Sequence, residues 1–379
     1  MGQQEGERNF HSFYQLLYGC TDQRLSQLSL SRDASQYFYL RQGNVPKQAA
    51  LNDSANYKQV ESAMKTLQFS AEEILAFDQI LAAIIHLGNV QFEFRADTES
   101  IAVVSKSKGA VSNLAKLLSV EAASVEKTLC ARTISANREV MRKEHTVQQA
   151  ESGRDAFAKA IYERLFNKVV EGVNRALTMD GSNISAQSRR SFGGKRTFLR
   201  YSFVDIYGFE VLESNSFEQF CINYCNERLQ QLFISLVLKQ EQEEYAKEGI
   251  EWSHIEYFDN APICSLVDSQ KNGILAALDD SCLAVGKIDD NLLLESMDGR
   301  FKGDKHYDSR RKSPADKTLV HSQHFRIRHY AGPVTYDVTG FIEKNRDTLF
   351  QDFKRLLYSS KNKVISGIYF VHKHLSLVT

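Results

Sequence analysis

Six consecutive residues, Asp205-Ile206-Tyr207-Gly208-Phe209-Glu210, set a carboxylate on each side of a glycine at the end of an aromatic and β-branched run, Thr197 to Ile206. That run reads as a strand closing in a glycine-containing turn. An acid at a strand end can hold magnesium, and a glycine three residues on lets the backbone N–H come close to a terminal phosphate. The same pattern also describes an ordinary strand-to-helix turn, and six residues alone do not separate the two. The six cysteines, Cys20, Cys130, Cys221, Cys225, Cys264 and Cys282, form no C-x-x-C pair. They read as buried small hydrophobes of a reducing compartment.

The elements around the turn are legible from periodicity. After Ser216, the positions Phe217, Phe220, Cys221, Tyr224, Cys225, Leu229, Leu232, Phe233, Leu236 and Val237 recur at helical spacing, which predicts one long helix with a continuous apolar face. It runs into the solvated stretch Lys239 to Glu244, with Gly249 as its C-cap. Upstream, Phe10, Phe13, Tyr14 and Leu17 predict a helix, and Ser70 with Glu73 forms a capping box for another that stops near Gly88. Residues 110–130 read as two short helices, 150–178 as a long one, and the Ser-, Gly- and Arg-rich residues from Asp180 to Lys195 as an exposed loop. Further helices follow over 260–300, two strands flank Ala331-Gly332-Pro333 between His324 and Val338, and a last helix lies between Asp347 and Tyr358. From Lys363 onward no periodicity continues.

Composition narrows the function. Lys plus Arg equals Asp plus Glu at 47 each, so no overall field favours nucleic acid or a membrane surface, and a polyanionic partner has to meet a local patch. The longest apolar stretch, Ile80 to Ile85, is too short to span a bilayer, and no secretory signal opens the chain. Four prolines in 379 residues leave room for long helices. A cytoplasmic, predominantly helical α/β protein is expected.

Longer stretches carry a family resemblance. Asp205 to Glu210, followed by Asn215-Ser-Phe-Glu-Gln-Phe-Cys-Ile-Asn-Tyr-Cys-Asn-Glu-Arg-Leu-Gln-Gln-Leu-Phe233, resembles switch II and the relay helix of the myosin motor domain. Gly6-Glu-Arg-Asn-Phe-His11, Ile85-His-Leu-Gly-Asn89, Gly153-Arg-Asp-Ala-Phe-Ala-Lys159 and Phe325-Arg-Ile-Arg-His-Tyr-Ala-Gly332 stand in the family's order. Tyr207 in the switch and Leu-Lys-Gln-Glu-Gln-Glu-Glu-Tyr245 are similar to the short-tailed class I myosins. The resemblance implies part of a P-loop-NTPase-like motor. Residues 1–193 would belong to the upper actin-cleft subdomain, 194–210 to a transducer strand and switch II, 211–260 to the relay helix and loop, and 261–360 to the lower actin-cleft subdomain. Residues 361–379 stand apart as a divergent tail.

Roles follow from the resemblance position by position. Asp205 would reach magnesium of Mg-ATP through water, the Gly208 N–H would bond the γ-phosphate, and Glu210 would pair with an arginine to close the site. Ile206, Tyr207 and Phe209 complete the switch; Phe209 would pass its movement to the helix, whose start holds Asn215 and Phe217. Trp252 either fills a hydrophobic gap or touches a converter. Toward actin filaments, Glu139 occupies the position of an acid or a phosphorylatable hydroxyl, although a plain solvated charge also fits. Leu283, Val285 and Lys287 mark an apolar tip. The basic stretch around Arg310, Arg311 and Lys312 either meets acidic actin or is merely solvated.

No G-x-x-x-x-G-K-[ST] occurs in the sequence, nor an Asn- and Ser-rich switch I. Arg200 and Tyr201 replace the small and aliphatic residues of the family's strand. The expectation is an actin-based, Mg-ATP-hydrolysing motor at the actin cytoskeleton and cell cortex. In this reading the 379 residues are a fragment without ATPase of its own, and calmodulin-type light chains and a lipid-binding tail belong to the full-length protein. The rival is a non-catalytic actin-binding fragment or splice product.

Overall fold

A computed structural model describes residues 3, 5–44, 51–96, 100–136, 139–180, 207–283, 289–345 and 351–370, with side chains undescribed at 134–140, 177–180 and 368–370. The expected strand 197–206 and loop 181–195 lie outside the described residues. The chain forms two compact units, residues 1–195 with 347–379, and residues 196–346.

In the first unit, helices α1 (His11–Gly19), α2 (Asp22–Leu28), α3 (Phe38–Arg41) and α4 (Asp53–Thr66) surround α5 (Ala71–Gly88). Helix α5 buries Ile74, Phe77, Ile80, Ile84, Ile85 and Leu87, with Ala76, Ala82 and Ala83 on its other sides. It is apolar nearly all round, as a central helix must be. The capping box forms as the sequence predicts: Ser70 Oγ accepts from Glu73 N at 3.1 Å, and Glu73 Oε2 accepts from Ser70 N at 2.9 Å. A Cβ on Gly19 would lie 2.2 Å from the Tyr57 Cβ, so α1 and α4 touch where only hydrogen fits.

Hairpin β1 (Phe92–Arg95) and β2 (Ser100–Val103), helices α6 (Lys108–Leu118) and α7 (Ala122–Cys130), hairpin β3 (Ala131–Ala136) and β4 (Glu139–Glu144), and the long α8 (Val147–Asp180) follow. Polar groups fasten α8: Asp155 accepts from Tyr39 Oη at 2.6 Å and from Arg154 Nε at 2.8 Å, while Arg154 Nη1 donates to the Val90 carbonyl at 2.8 Å. The Gly153-Arg-Asp stretch is therefore a structural clasp.

The second unit holds α9 (Phe217–Phe233), a π-helical turn over Ile234–Lys239, α10 (Gln240–Glu248), α11 (Ala261–Asp268), α12 (Ile274–Leu283) and α13 (Asp290–Arg300). Antiparallel strands β5 (Tyr307–Ser309), β6 (His324–His329) and β7 (Gly332–Asp337) are joined in the order β5-β6-β7, and α14 (Phe341–Asn345) follows. Gly332, at φ +131°, makes the expected β6–β7 turn. Alternation puts Phe325, Ile327 and His329 of β6 and Val334 and Tyr336 of β7 on the buried face. Phe220, Leu278, Leu293, Met297 and Phe341 pack against them.

The long helix breaks one expectation. Its apolar stripe is not its buried face. Cys221 and Cys225 are exposed, and Leu232, Phe233, Leu236 and Val237 are about half exposed. Of the stripe within α9 Phe220 alone is fully buried, and beside it are buried Gln219, Asn223 and Glu227, because paired polar groups occupy the inward side of the helix. Gly249 ends α10 at φ +70°, as expected of a C-cap.

Back in the first unit, α15 (Gln351–Tyr358) stacks Phe353 on Phe157 at 4.5 Å between ring centroids. Where the sequence shows no periodicity, α16 (Lys363–Phe370) forms: Asn362 Oδ1 accepts from Val364 N at 2.9 Å, and Ile365 is buried. Eight residues are too few to display a period, and a cap with one buried anchor holds them. Overall, the described residues are predominantly helical with small two- and three-stranded sheets.

Candidate functional site

Among the described residues of the Asp205–Glu210 turn are Tyr207, Gly208, Phe209 and Glu210; Asp205 and Ile206 lie outside them. Two asparagines of α9 grip this segment by its backbone. Asn226 Nδ2 donates to the Tyr207 carbonyl at 3.0 Å. Asn223 accepts from Glu210 N through Oδ1 at 2.7 Å and donates to the Glu210 carbonyl through Nδ2 at 2.7 Å. An amide facing one residue's N–H and C=O at once replaces the partners a strand would supply.

Three and four residues apart on a helix is one face. Gln219, Asn223 and Asn226 therefore meet the turn together, and Gln219 Nε2 reaches Glu210 Oε2 at 3.3 Å.

The side chains of the turn point to different tasks. Tyr207 is 74% exposed. Gly208 is exposed, a Cβ there would meet nothing, and its N–H makes no hydrogen bond to a described residue. Nothing among the described residues demands glycine here. Phe209 packs edge-on against His329 and Tyr330, with ring centroids at 5.2 and 5.7 Å.

Asn215 locks the approach to α9. Its Oδ1 accepts from Leu212 N at 2.8 Å, and its Nδ2 donates to the carbonyls of Leu212 and Thr335 at 3.0 and 3.1 Å. Phe217 meets Phe341 edge-on at 5.3 Å. Half-buried Trp252 sits between Tyr245 and His254, at 6.2 and 5.4 Å.

Behind the turn lies a buried network that sequence reasoning missed. Asn223 Nδ2 also donates to Tyr336 Oη at 3.0 Å, and Tyr336 Oη lies 2.9 Å from His329 Nε2. His329 Nδ1 lies 2.9 Å from Glu227 Oε2, with both side chains at 0% exposure. Glu227 also accepts from Tyr330 N at 3.2 Å and from Asn260 Nδ2 at 2.6 Å. Burial raises the pKa of the Tyr336 hydroxyl, holding it protonated. The signal available in the sequence was Asn223 and Glu227, one helical turn apart inside an apolar pattern.

The other sequence-predicted residues do not join this site. Leu283 ends α12 at 82% exposure, and Val285 and Lys287 lie outside the described residues. Glu139 opens β4 of a hairpin rather than lying in a loop, its side chain undescribed. The basic stretch is largely engaged within the unit. Arg310 donates to the Asp316 carbonyl, Arg311 pairs with Glu295, and Lys312 donates to the carbonyls of Asp304 and Tyr307. No group of His, Cys, Asp and Glu that could hold a metal ion is found among the described residues.

The myosin head (motor domain) family model matches residues 1–377. The chain belongs to the myosin motor family. The match takes in most of the stretch that the sequence reading set apart after residue 361. Unconventional myosin-Id of Danio rerio is 51% identical over 367 residues, covering 97% of this chain and 35% of that protein. Unconventional myosin-Id of Homo sapiens is 49% identical over the same coverage, and unconventional myosin-Ig of Homo sapiens is 47% identical over 376 residues. These relatives bear out the resemblance to class I myosins, and the chain spans about a third of their length.

Proposed function

We propose that this myosin segment is the phosphate-sensing and relaying part of an actin-based motor that hydrolyses Mg-ATP. One observation carries the reading. The backbone of residues 207–210 is tied to α9 by Asn223 and Asn226, while the Gly208 N–H makes no hydrogen bond to a described residue and a Cβ there would meet nothing. A ligand that engages Gly208 pulls on α9 through the same four residues. The fit to nucleotide rests on that donor and on the Glu210 carboxylate, which accepts from Gln219 Nε2 at 3.3 Å.

In this reading the Gly208 N–H bonds the γ-phosphate, Glu210 pairs with an arginine and orients water, and Asp205 holds magnesium through water. Bound magnesium neutralises charge on the phosphates during phosphoryl transfer. Residues 1–193 belong to an upper and 261–360 to a lower actin-cleft subdomain, with 194–210 as transducer strand and switch and 211–260 as relay. Leu283 at the exposed end of α12 and Glu139 at the head of β4 face the filament. Arg310, Arg311 and Lys312 serve mainly to fold their own loop. The protein acts at the actin cytoskeleton of the cell cortex, with light chains and a lipid-binding tail supplied by the full-length protein.

A second reading, an actin-binding segment without catalysis, is favoured by the lack of a G-x-x-x-x-G-K-[ST] in these residues. Purified residues 1–379 are expected to release no phosphate from ATP, with or without actin. A chimera in which they replace the matching third of unconventional myosin-Id is expected to regain actin-activated release and to lose it on Glu210→Ala. A chimera that binds ATP yet keeps its actin-activated rate with Glu210→Ala would overturn the assignment.

A further inference from the structure

The network behind the turn has only one consistent arrangement of protons, and it starts at Glu210. The Glu210 N–H must face an acceptor, so the Asn223 amide is oriented with Oδ1 toward it and Nδ2 toward both the Glu210 carbonyl and Tyr336. Tyr336 Oη then accepts from Asn223, so its own proton goes to its other neighbour, His329 Nε2. His329 Nε2 must be bare to accept it. The ring proton therefore sits on Nδ1 and donates to Glu227 Oε2. Glu227 is the natural end of such a chain: the His329 ring, the Tyr330 N–H and the Asn260 amide all donate to its carboxylate.

A doubly protonated His329 fits less well. Its Nε2–H would face Tyr336 Oη, and the Tyr336 proton would have no acceptor among the described residues. Because Asn223, Glu227, His329 and Tyr336 are buried, a donor without an acceptor there would be costly.

We propose that Glu227, His329 and Tyr336 are positioning residues for the phosphate-sensing turn: their directional chain of hydrogen bonds fixes Asn223, and Asn223 fixes the backbone of Glu210. The functional meaning rests on the reading of that turn given above. The chain also joins the turn to the β6–β7 hairpin, which contributes both His329 and Tyr336. A movement at Gly208 thus has a polar route into the sheet, beside its route along α9.

Tyr336→Phe separates hydroxyl from ring. The ring contacts with Phe325 and Phe220, at 5.4 and 5.7 Å, remain, and only the link between Asn223 and His329 is cut. In the 379-residue chain the variant is expected to speed amide exchange at Glu210 by about tenfold, the loss of one buried hydrogen bond, while amides at Phe220 and Phe325 keep their protection. Nitrogen NMR of the wild-type chain is expected to show His329 neutral and protonated at Nδ1. An unchanged Glu210 rate in Tyr336→Phe, or a wild-type His329 carrying its proton on Nε2, overturns the proposal. In the myosin-Id chimera, Tyr336→Phe is expected to lower the rate of phosphate release at saturating ATP more than it changes the ATP concentration for half-maximal rate. Fast exchange at Glu210 with ATPase kinetics untouched would leave the positioning chain standing and overturn the phosphate-sensing reading of the turn.

Discussion

Asn223→Ala is the most direct perturbation of the site. The side chain is fully buried and makes three hydrogen bonds, two to the Glu210 backbone at 2.7 Å and one to Tyr336 Oη at 3.0 Å. Glu210 lies in an irregular segment, so removing the amide leaves its N–H and C=O with water as their alternative. At about 1 kcal/mol net for each bond, the pair at Glu210 holds the turn closed by about 2 kcal/mol. Local opening should then become roughly 30-fold more frequent. The assay is amide exchange at Glu210 in the 379-residue chain, with Phe220 as reference because its N–H bonds the Ser216 carbonyl within the helix start. The expected result is fast exchange at Glu210 with Phe220 unchanged. Equal rates in variant and wild type, with the helix intact, would refute the reasoning. They would show that Asn226 on Tyr207 and Asn215 on Leu212 suffice to hold the turn.

Three further outcomes follow from particular contacts. Burial pushes the Asp78 carboxyl up to about 6, against Tyr57 and Arg24, so between about pH 4 and 6 the folded state holds a proton that the unfolded chain has lost. Stability therefore falls as pH rises through that window, by ~3 kcal/mol in total; Asp78→Asn should flatten this slope in urea unfolding and be the more stable form at pH 7, and an unaltered slope would count against it. Gly19→Ala puts a methyl carbon 2.2 Å from the Tyr57 Cβ and should cost about 1–3 kcal/mol. Gly109→Ala, inside α6 where a Cβ meets nothing, should gain a few tenths to about 1 kcal/mol; thermal unfolding of the two variants checks both signs. Exposed Lys302 and Lys305 make no ion pair among the described residues, unlike Arg311. Reversing the two lysines should therefore weaken low-salt cosedimentation with actin more than Arg311→Ala does, and the reverse order would refute this.

Much of the local structure was legible because it depends on near neighbours. Ser70 with Glu73 announced the start of α5, Gly249 the end of α10, and Gly332 the turn between β6 and β7. The face of α9 was not legible. Counting apolar residues selected Leu232, Phe233, Leu236 and Val237, whereas the helix buries Asn223 and Glu227. Periodicity assumes that the buried face is the apolar one, and that fails where polar groups find buried partners on another element. The same limit hid α16, whose order comes from Asn362 and one buried isoleucine.

The sequence by itself determined the family, the order of the elements and the position of the turn, since motifs and caps are contiguous. Only the tertiary structure decided what holds the turn. Glu210, Asn223, Glu227, His329 and Tyr336 span more than a hundred residues of chain, and no spacing rule connects them. They meet because α9 lies against the inward face of the β6–β7 hairpin, where each polar group needs a partner and only these are within reach.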